Sequence, residues 1–222
     1  MRYFSLAIAA AGLLANLAFA TPASPQNGAE YSTLANSQPA QSVGKKIEVM
    51  EFFMYHCPAC NMLEPELLDW VKKQGDNIVF RRVHIPHTGP NDPEAHLFLT
   101  LEAMKNEDAL HGKVLATWHV ERRRLMNDAD NLDWALKNGI DKAKFLEYYN
   151  SFSVKTKLQN LPRIAAGYQV DSTPTLVVDG RFLTNPAMVD ASNQGIPHPA
   201  LNKATLQVVE ALVVKARAGK GG

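Results

Sequence analysis

The chain has 222 residues, 46% of them hydrophobic, with 23 Lys and Arg against 22 Asp and Glu for a formal charge of +1. That length supports one ordinary core, or one core with an inserted subdomain. The near-balanced charge gives no electrostatic case for nucleic acid or an anionic membrane surface as the main partner.

The N-terminus reads as a signal peptide over residues 1–20. Arg2 supplies a short basic start, Phe4 to Phe19 is mostly apolar, and Ala18-Phe19-Ala20 has the small-x-small pattern of a cleavage site, with cleavage expected after Ala20. The alternative is an N-terminal membrane anchor, but the run is short for a span, which needs about 20 apolar residues. Residues 21–43 read as a flexible leader with a possible edge strand at Tyr31 to Leu34.

Ile47 to Tyr55 is a dense apolar run of strand length, suited to a central strand buried on both faces. Cys57-Pro58-Ala59-Cys60 follows. Leu63, Leu67, Trp70 and Val71 then recur at helical spacing up to about Gln74, with Pro65 inside the helix removing one backbone hydrogen bond. Ile78 to Ile85 is the second strand, which completes a parallel crossover unit. From Pro93 to Gly167 the apolar spacing predicts several helices and no strand. Within this block, Arg122-Arg123-Arg124 reads as a solvated helix face. Thr175 to Val178 is a strand, Asp179-Gly180 a two-residue hairpin turn, and Arg181 to Leu183 the return strand. Leu201 to Ala216 forms a last helix. The order is β-α-β, a helical block, then β-β-α: an α/β domain over 44–91 and 167–222, interrupted by an all-helical domain over 92–166.

Cys57 and Cys60 are the only cysteines. A disulfide between them closes almost no loop and adds little entropic stabilisation, so the pair is there for reactivity. Only a thiolate attacks a disulfide, and exchange therefore needs a cysteine of lowered pKa. Cys57 falls at a strand-to-helix junction, where free backbone N–H groups and the positive end of the helix dipole favour a negative sulfur. Pro58 suits the first helical turn, where its missing N–H costs nothing. Cys60 lies one turn on, on the same face. Cys57 is thus the expected nucleophile and Cys60 the more buried resolving thiol.

Other uses of C-x-x-C compete. Haem attachment requires His after the second Cys, where Asn61 stands. Tetrahedral zinc requires four ligands, and a mixed site would have to recruit His56, His84 or His87, so no metal is expected. A metal-binding or chaperone module using the pair as a soft-metal site is a further alternative.

Glu51-Phe52-Phe53-Met54-Tyr55-His56-Cys57-Pro58-Ala59-Cys60 resembles the active-site segment of the DsbA family of thiol–disulfide oxidoreductases. Ser172-Thr173-Pro174-Thr175 resembles the family's second landmark, a cis-proline opening a strand, and Pro65 matches the kinking proline of thioredoxins. The resemblance implies a thioredoxin fold interrupted by an all-helical inserted domain. It also implies a periplasmic enzyme that donates its Cys57–Cys60 disulfide to reduced exported proteins and is reoxidised by a DsbB-like membrane quinone reductase. No organic cofactor or metal is implied, and residues 21–43 are too short for the dimerisation domain of an isomerase, which points to a monomer. A periplasmic reductase or isomerase of the same fold is the alternative. Thr173 and Pro174 are the implied substrate-binding residues. Glu51 corresponds to the family's buried acid below the second cysteine, with Arg82 as its matching base; alternatively, Glu51 caps a strand edge. The family's best-known dipeptide is Pro-His, so Ala59 is a departure: it can neither donate to the Cys57 thiolate nor attract it. His56 can partly substitute, or point away. His84 and His87 read as structural.

Overall fold

The computed structural model describes residues 21–41 and 44–220. The predicted signal peptide lies outside the described residues. Among those that are described, no helix is long and apolar enough to cross a membrane.

Five strands form one mixed sheet: β1 (Ser32–Thr33), β2 (Ile47–Phe53), β3 (Ile78–His84), β4 (Thr175–Val178) and β5 (Phe182–Thr184), in the order β1-β5-β4-β2-β3. Only β2 and β3 run parallel; the other neighbours are antiparallel. All seven residues of β2 are buried, as a central strand covered on both faces requires. The pleat divides its side chains. Ile47 and Val49, with Leu176 and Val178 of β4, join a core built with Leu63 and Leu67 of α1 (Pro58–Gln74) and Val208, Val209 and Leu212 of α8 (His198–Ala218). Met50 and Phe52, with Val177, enter a second core shared with the helical block.

That block contains α2 (Pro93–Ala103), α3 (Glu107–His119), α4 (Asp128–Lys137), α5 (Lys142–Tyr149) and α6 (Phe152–Gly167). Trp134 is buried at its centre and donates from Nε1 to Thr117 Oγ1 at 3.0 Å. Leu125 is buried too, although it follows α3 instead of belonging to it. The connection from Val120 to Asn127 is not helical, so the reading of Arg122-Arg123-Arg124 as a helix face is corrected. Its chain turns at Arg122, whose φ is +56°. A short helix, α7 (Pro186–Ser192), was not anticipated. Its signal is present in Asn185-Pro186: the Asn185 side chain accepts from Met188 N at 2.8 Å, and Pro186 opens the first turn.

The β4–β5 turn positions the leader. Asp179 and Gly180 both have positive φ, +54° and +63°, as a type I′ hairpin demands. Gln38 N donates to Gly180 O at 2.8 Å, and a Cβ at position 180 would lie 2.1 Å from Gln38 O, so glycine is required there. Between 21 and 41 the leader lies against the sheet edge: Tyr31 is buried and Leu34 N donates to Arg181 O at 2.8 Å.

Candidate active site

Cys57 is the N-cap of α1, with extended backbone (φ −75°, ψ 116°), and Pro58 begins the helix. Its Sγ accepts from Cys60 N at 3.4 Å. Both cysteines are free thiols in this structure. Cys57 is 8% exposed and Cys60 1%.

The Thr173–Pro174 peptide bond is cis. It brings Thr173 against the helix start, where the Cys57 thiol and Thr173 O are 3.5 Å apart. These contacts separate the two sulfurs. A hydrogen bond from the Cys60 side chain is the largest influence on Cys57 and lowers its pKa. Hydrogen bonds from the Thr173 side chain and from the backbone N–H groups of Cys60 and Ala59 add to it, outweigh burial, and bring the pKa to about 5. Cys60 shifts the other way: its proton is held by Cys57, its burial is deep, and the Cys57 thiolate and Glu51 repel a second negative charge.

Beneath the pair lies a buried ionic cluster. Glu51 on β2 and Arg82 on β3 are register partners. Arg82 Nε donates to Glu51 Oε2 at 3.1 Å, Nη2 to Glu64 Oε1 at 2.8 Å and Nη1 to Glu107 Oε1 at 3.0 Å. One guanidinium thus serves three carboxylates, and burying three negative charges with one positive charge is strongly unfavourable. Protons relieve the imbalance. Burial raises Glu51 to about 8 and Glu107 to about 7, against the pull of Arg82. Glu64 is buried as well, yet His111 and Arg82 hold its pKa below the usual value. The reading of Glu51 as a strand-edge cap is corrected: it sits 1% exposed in the middle of the central strand.

His56 turns toward α2. Glu94 Oε1 lies 2.7 Å from His56 Nδ1, and Oε2 accepts the His56 backbone N–H at 2.9 Å. This hydrogen bond raises the pKa of His56. Burial, the largest single influence, raises Glu94, but hydrogen bonds and charge from His56 and His84 together outweigh it and its pKa falls to about 2. His84 is fully buried and its Nε2 accepts from Tyr55 N at 3.2 Å, while His119 Nε2 donates to Tyr55 O at 2.8 Å. Two histidines therefore fix the peptide groups of the residue two before Cys57. His87 is exposed and its ring meets that of His56 at 5.0 Å.

The site thus gathers His56, Cys57, Pro58, Ala59, Cys60, Thr173 and Pro174 around the start of α1, with Glu51 and Arg82 in the buried cluster. Sequence reasoning missed Glu64, Glu94, Glu107, His111 and His119. Only Glu64 had a local signal, since it follows Cys60 by four residues on the same helix face. Among the described residues no three His, Cys, Asp or Glu side chains converge as metal ligands would.

Comparison with known proteins agrees with this geometry. The Thioredoxin family model matches residues 45–196. The chain is 35% identical over 214 residues to the thiol:disulfide interchange protein DsbA of Bordetella parapertussis, covering 96% of this chain and 97% of that protein. It is 34% identical over 191 residues to that of Pseudomonas aeruginosa, covering 86% and 85%. The crystal structure of Pseudomonas aeruginosa DsbA superimposes with a TM-score of 0.77 at 32% identity, over 88% of this chain and 96% of that one. The chain has the thioredoxin fold with a helical insertion, and it belongs to the DsbA family of thiol:disulfide oxidoreductases.

Proposed function

We propose that the chain oxidises reduced, exported proteins by donating the Cys57–Cys60 disulfide. A substrate thiolate attacks Cys57 Sγ; the Cys57–Cys60 bond breaks, and its electron pair leaves on Cys60, which takes up a proton. A second substrate thiolate then attacks the substrate sulfur of the mixed disulfide, and Cys57 leaves as a thiolate. The substrate loses two electrons and two protons, and the cysteine pair holds the electrons with no further cofactor. A DsbB-like membrane quinone reductase then removes them. The basic and apolar start of the chain, ending in Ala18-Phe19-Ala20, supports export to the periplasm with cleavage after Ala20.

The observation that carries this reading is the asymmetry of the pair. Cys57 has a pKa of about 5 and caps the helix; Cys60 is buried and protonated. A stabilised Cys57 thiolate favours the reduced enzyme, and that makes the disulfide a strong oxidant. Thr173, 3.5 Å from Cys57, presents a backbone that an extended substrate segment could pair with. The test is the reduction potential against glutathione. A value near that of DsbA, about −120 mV, supports an oxidant; one near that of thioredoxin, about −270 mV, means a reductase and overturns the proposal.

A further inference from the structure

Beside Cys57 is a cavity of about 520 Å³ lined by His56, Pro58, Trp118, Arg122, Arg124 and Met126, among others. From it we infer a binding site for an acidic segment of substrate polypeptide close to the cysteine being oxidised. This deepens the exchange reading above, on which it rests for the reaction but not for the binding.

Charge distribution is the first support. Arg122 and Arg124 are both exposed and line the cavity, and among the described residues neither has an ion pair or a side-chain hydrogen bond. Arg123 between them does not line it, and is engaged by Asp133 at 2.5 Å. The two arginines at the cavity are therefore those left without an acid. Glu94 is the acidic residue of the lining, and both of its oxygens are taken by His56. Glu121 precedes the arginines but is not part of the lining. Two of the carbonyls near the end of α3 are also satisfied internally: Thr117 O accepts from Arg123 N at 2.9 Å, and Ala116 O from Val120 N at 2.8 Å. Little in the cavity opposes an incoming carboxylate.

Two further features bear on the site. Trp118, one of the lining residues, has a buried Nε1 with no acceptor among the described residues. Arg122 also occupies left-handed backbone, φ +56°, where glycine would be the cheaper residue. Guanidinium groups suit carboxylates because their donors form a planar fork. Pro58 directly follows Cys57 and lines the same cavity, so a peptide whose sulfur reaches Cys57 has its neighbouring residues at the arginines.

The test uses the full chain and peptides in which the reactive cysteine is replaced by serine, so that binding is read without chemistry. The serine is flanked by Asp and Glu in one peptide, by Ser and Gln in a second and by Lys in a third. At low ionic strength the acidic peptide should bind about tenfold more tightly than the neutral one, the order expected of two arginine–carboxylate pairs. The ratio should fall below about twofold in 0.5 M NaCl, where the Debye length is only a few ångströms. It should fall equally in Arg122→Glu/Arg124→Glu, and part-way in Arg124→Gln, which guards against a folding defect in the double variant. Equal binding of acidic and neutral peptides to the unaltered chain would overturn the inference, as would an acidic preference that survives the double variant. Oxidation of a neutral-flanked dithiol peptide tests the exchange reading separately; its failure, with the acidic preference intact, would sink that reading alone.

Discussion

Glu51 and Arg82 face each other across the parallel β2–β3 pair, and their side chains meet at 3.1 Å while 1% and 3% exposed. Removing the guanidinium would leave Glu64 without its cation and Glu51 and Glu107 without their shared donor, and breaking a buried pair in this way typically costs about 3–5 kcal/mol. Arg82→Met should lower stability by about that amount in urea unfolding. A loss under about 1 kcal/mol would show that the cluster is less charged than the geometry implies.

The same cluster sets a pH dependence of stability. Glu51 and Glu107 have folded pKa values of about 8 and 7, above the ordinary 4.5. Between about pH 4.5 and 8 the folded state therefore binds more protons than the unfolded state, and these two groups make stability fall as pH rises through that window. Glu94, at about 2, acts with the opposite sign: its contribution is present above 4.5 and is lost as pH falls through about 2. Glu51→Gln and Glu107→Gln should each flatten the decline between pH 4.5 and 8, measured as unfolding free energy against pH. An unchanged slope in both variants would refute the assignment.

How much of this was legible in the sequence depended on how local the cause was. The central strand, the helix opening at Pro58 and the Asp179-Gly180 turn follow from patterns within a few residues. The Glu51–Arg82 pairing was implied by the family resemblance, and the parallel register of β2 and β3 sets the two residues opposite each other. Glu107, His111 and Glu94 reach the site from α3 and α2, and nothing in their own neighbourhoods announces it. The arginine cluster misled for a related reason. Its charge pattern suits a helix face, whereas the connection that carries it is not helical and buries Leu125 in the helical core.

A Cys57 pKa of about 5 has two measurable consequences. Iodoacetamide should alkylate one cysteine, Cys57, with a rate that rises through pH 5 and is flat by pH 7; modification of Cys60 first would reverse the roles. The reduced protein should also gain stability from this group. A depressed folded pKa contributes stability that is present above the unfolded value of about 9 and is lost as pH falls through about 5. The excess stability of reduced over oxidised protein at neutral pH should therefore shrink toward pH 5. A gap that widened on acidification would contradict it.

Cys57→Ser should abolish disulfide exchange. Cys60→Ser should instead accumulate mixed disulfides at Cys57, because the thiol that would release them is gone. Cys60 also supplies the largest stabilisation of the Cys57 thiolate, so Cys60→Ala, which deletes that donor, should raise the Cys57 pKa, though not to the unfolded value of about 9, since the Thr173 side chain and the helix N–H groups remain. Mass spectrometry of trapped adducts and thiolate absorbance check both points. No adducts in Cys60→Ser would remove the case for Cys57 as the exposed nucleophile.

Position 59 offers the sharpest test of the electrostatics. Ala59 stabilises the Cys57 thiolate only through its backbone N–H. His56, the nearest imidazole in sequence, is held by Glu94 at 2.7 Å, and its hydrogen bond goes to that carboxylate and not to sulfur. A histidine placed between the cysteines would add a donor and, when protonated, a positive charge. Ala59→His should therefore lower the Cys57 pKa below about 5 and make the potential less negative. One pKa unit is about 1.4 kcal/mol, which corresponds to about 30 mV for this two-electron couple. Thiolate absorbance against pH and equilibration with glutathione give the two quantities in the native chain and the variant. A higher pKa or a more negative potential in Ala59→His would refute the electrostatic account. Unchanged values would mean that His56 already supplies the charge despite its bond to Glu94, in which case His56→Ala should raise the Cys57 pKa.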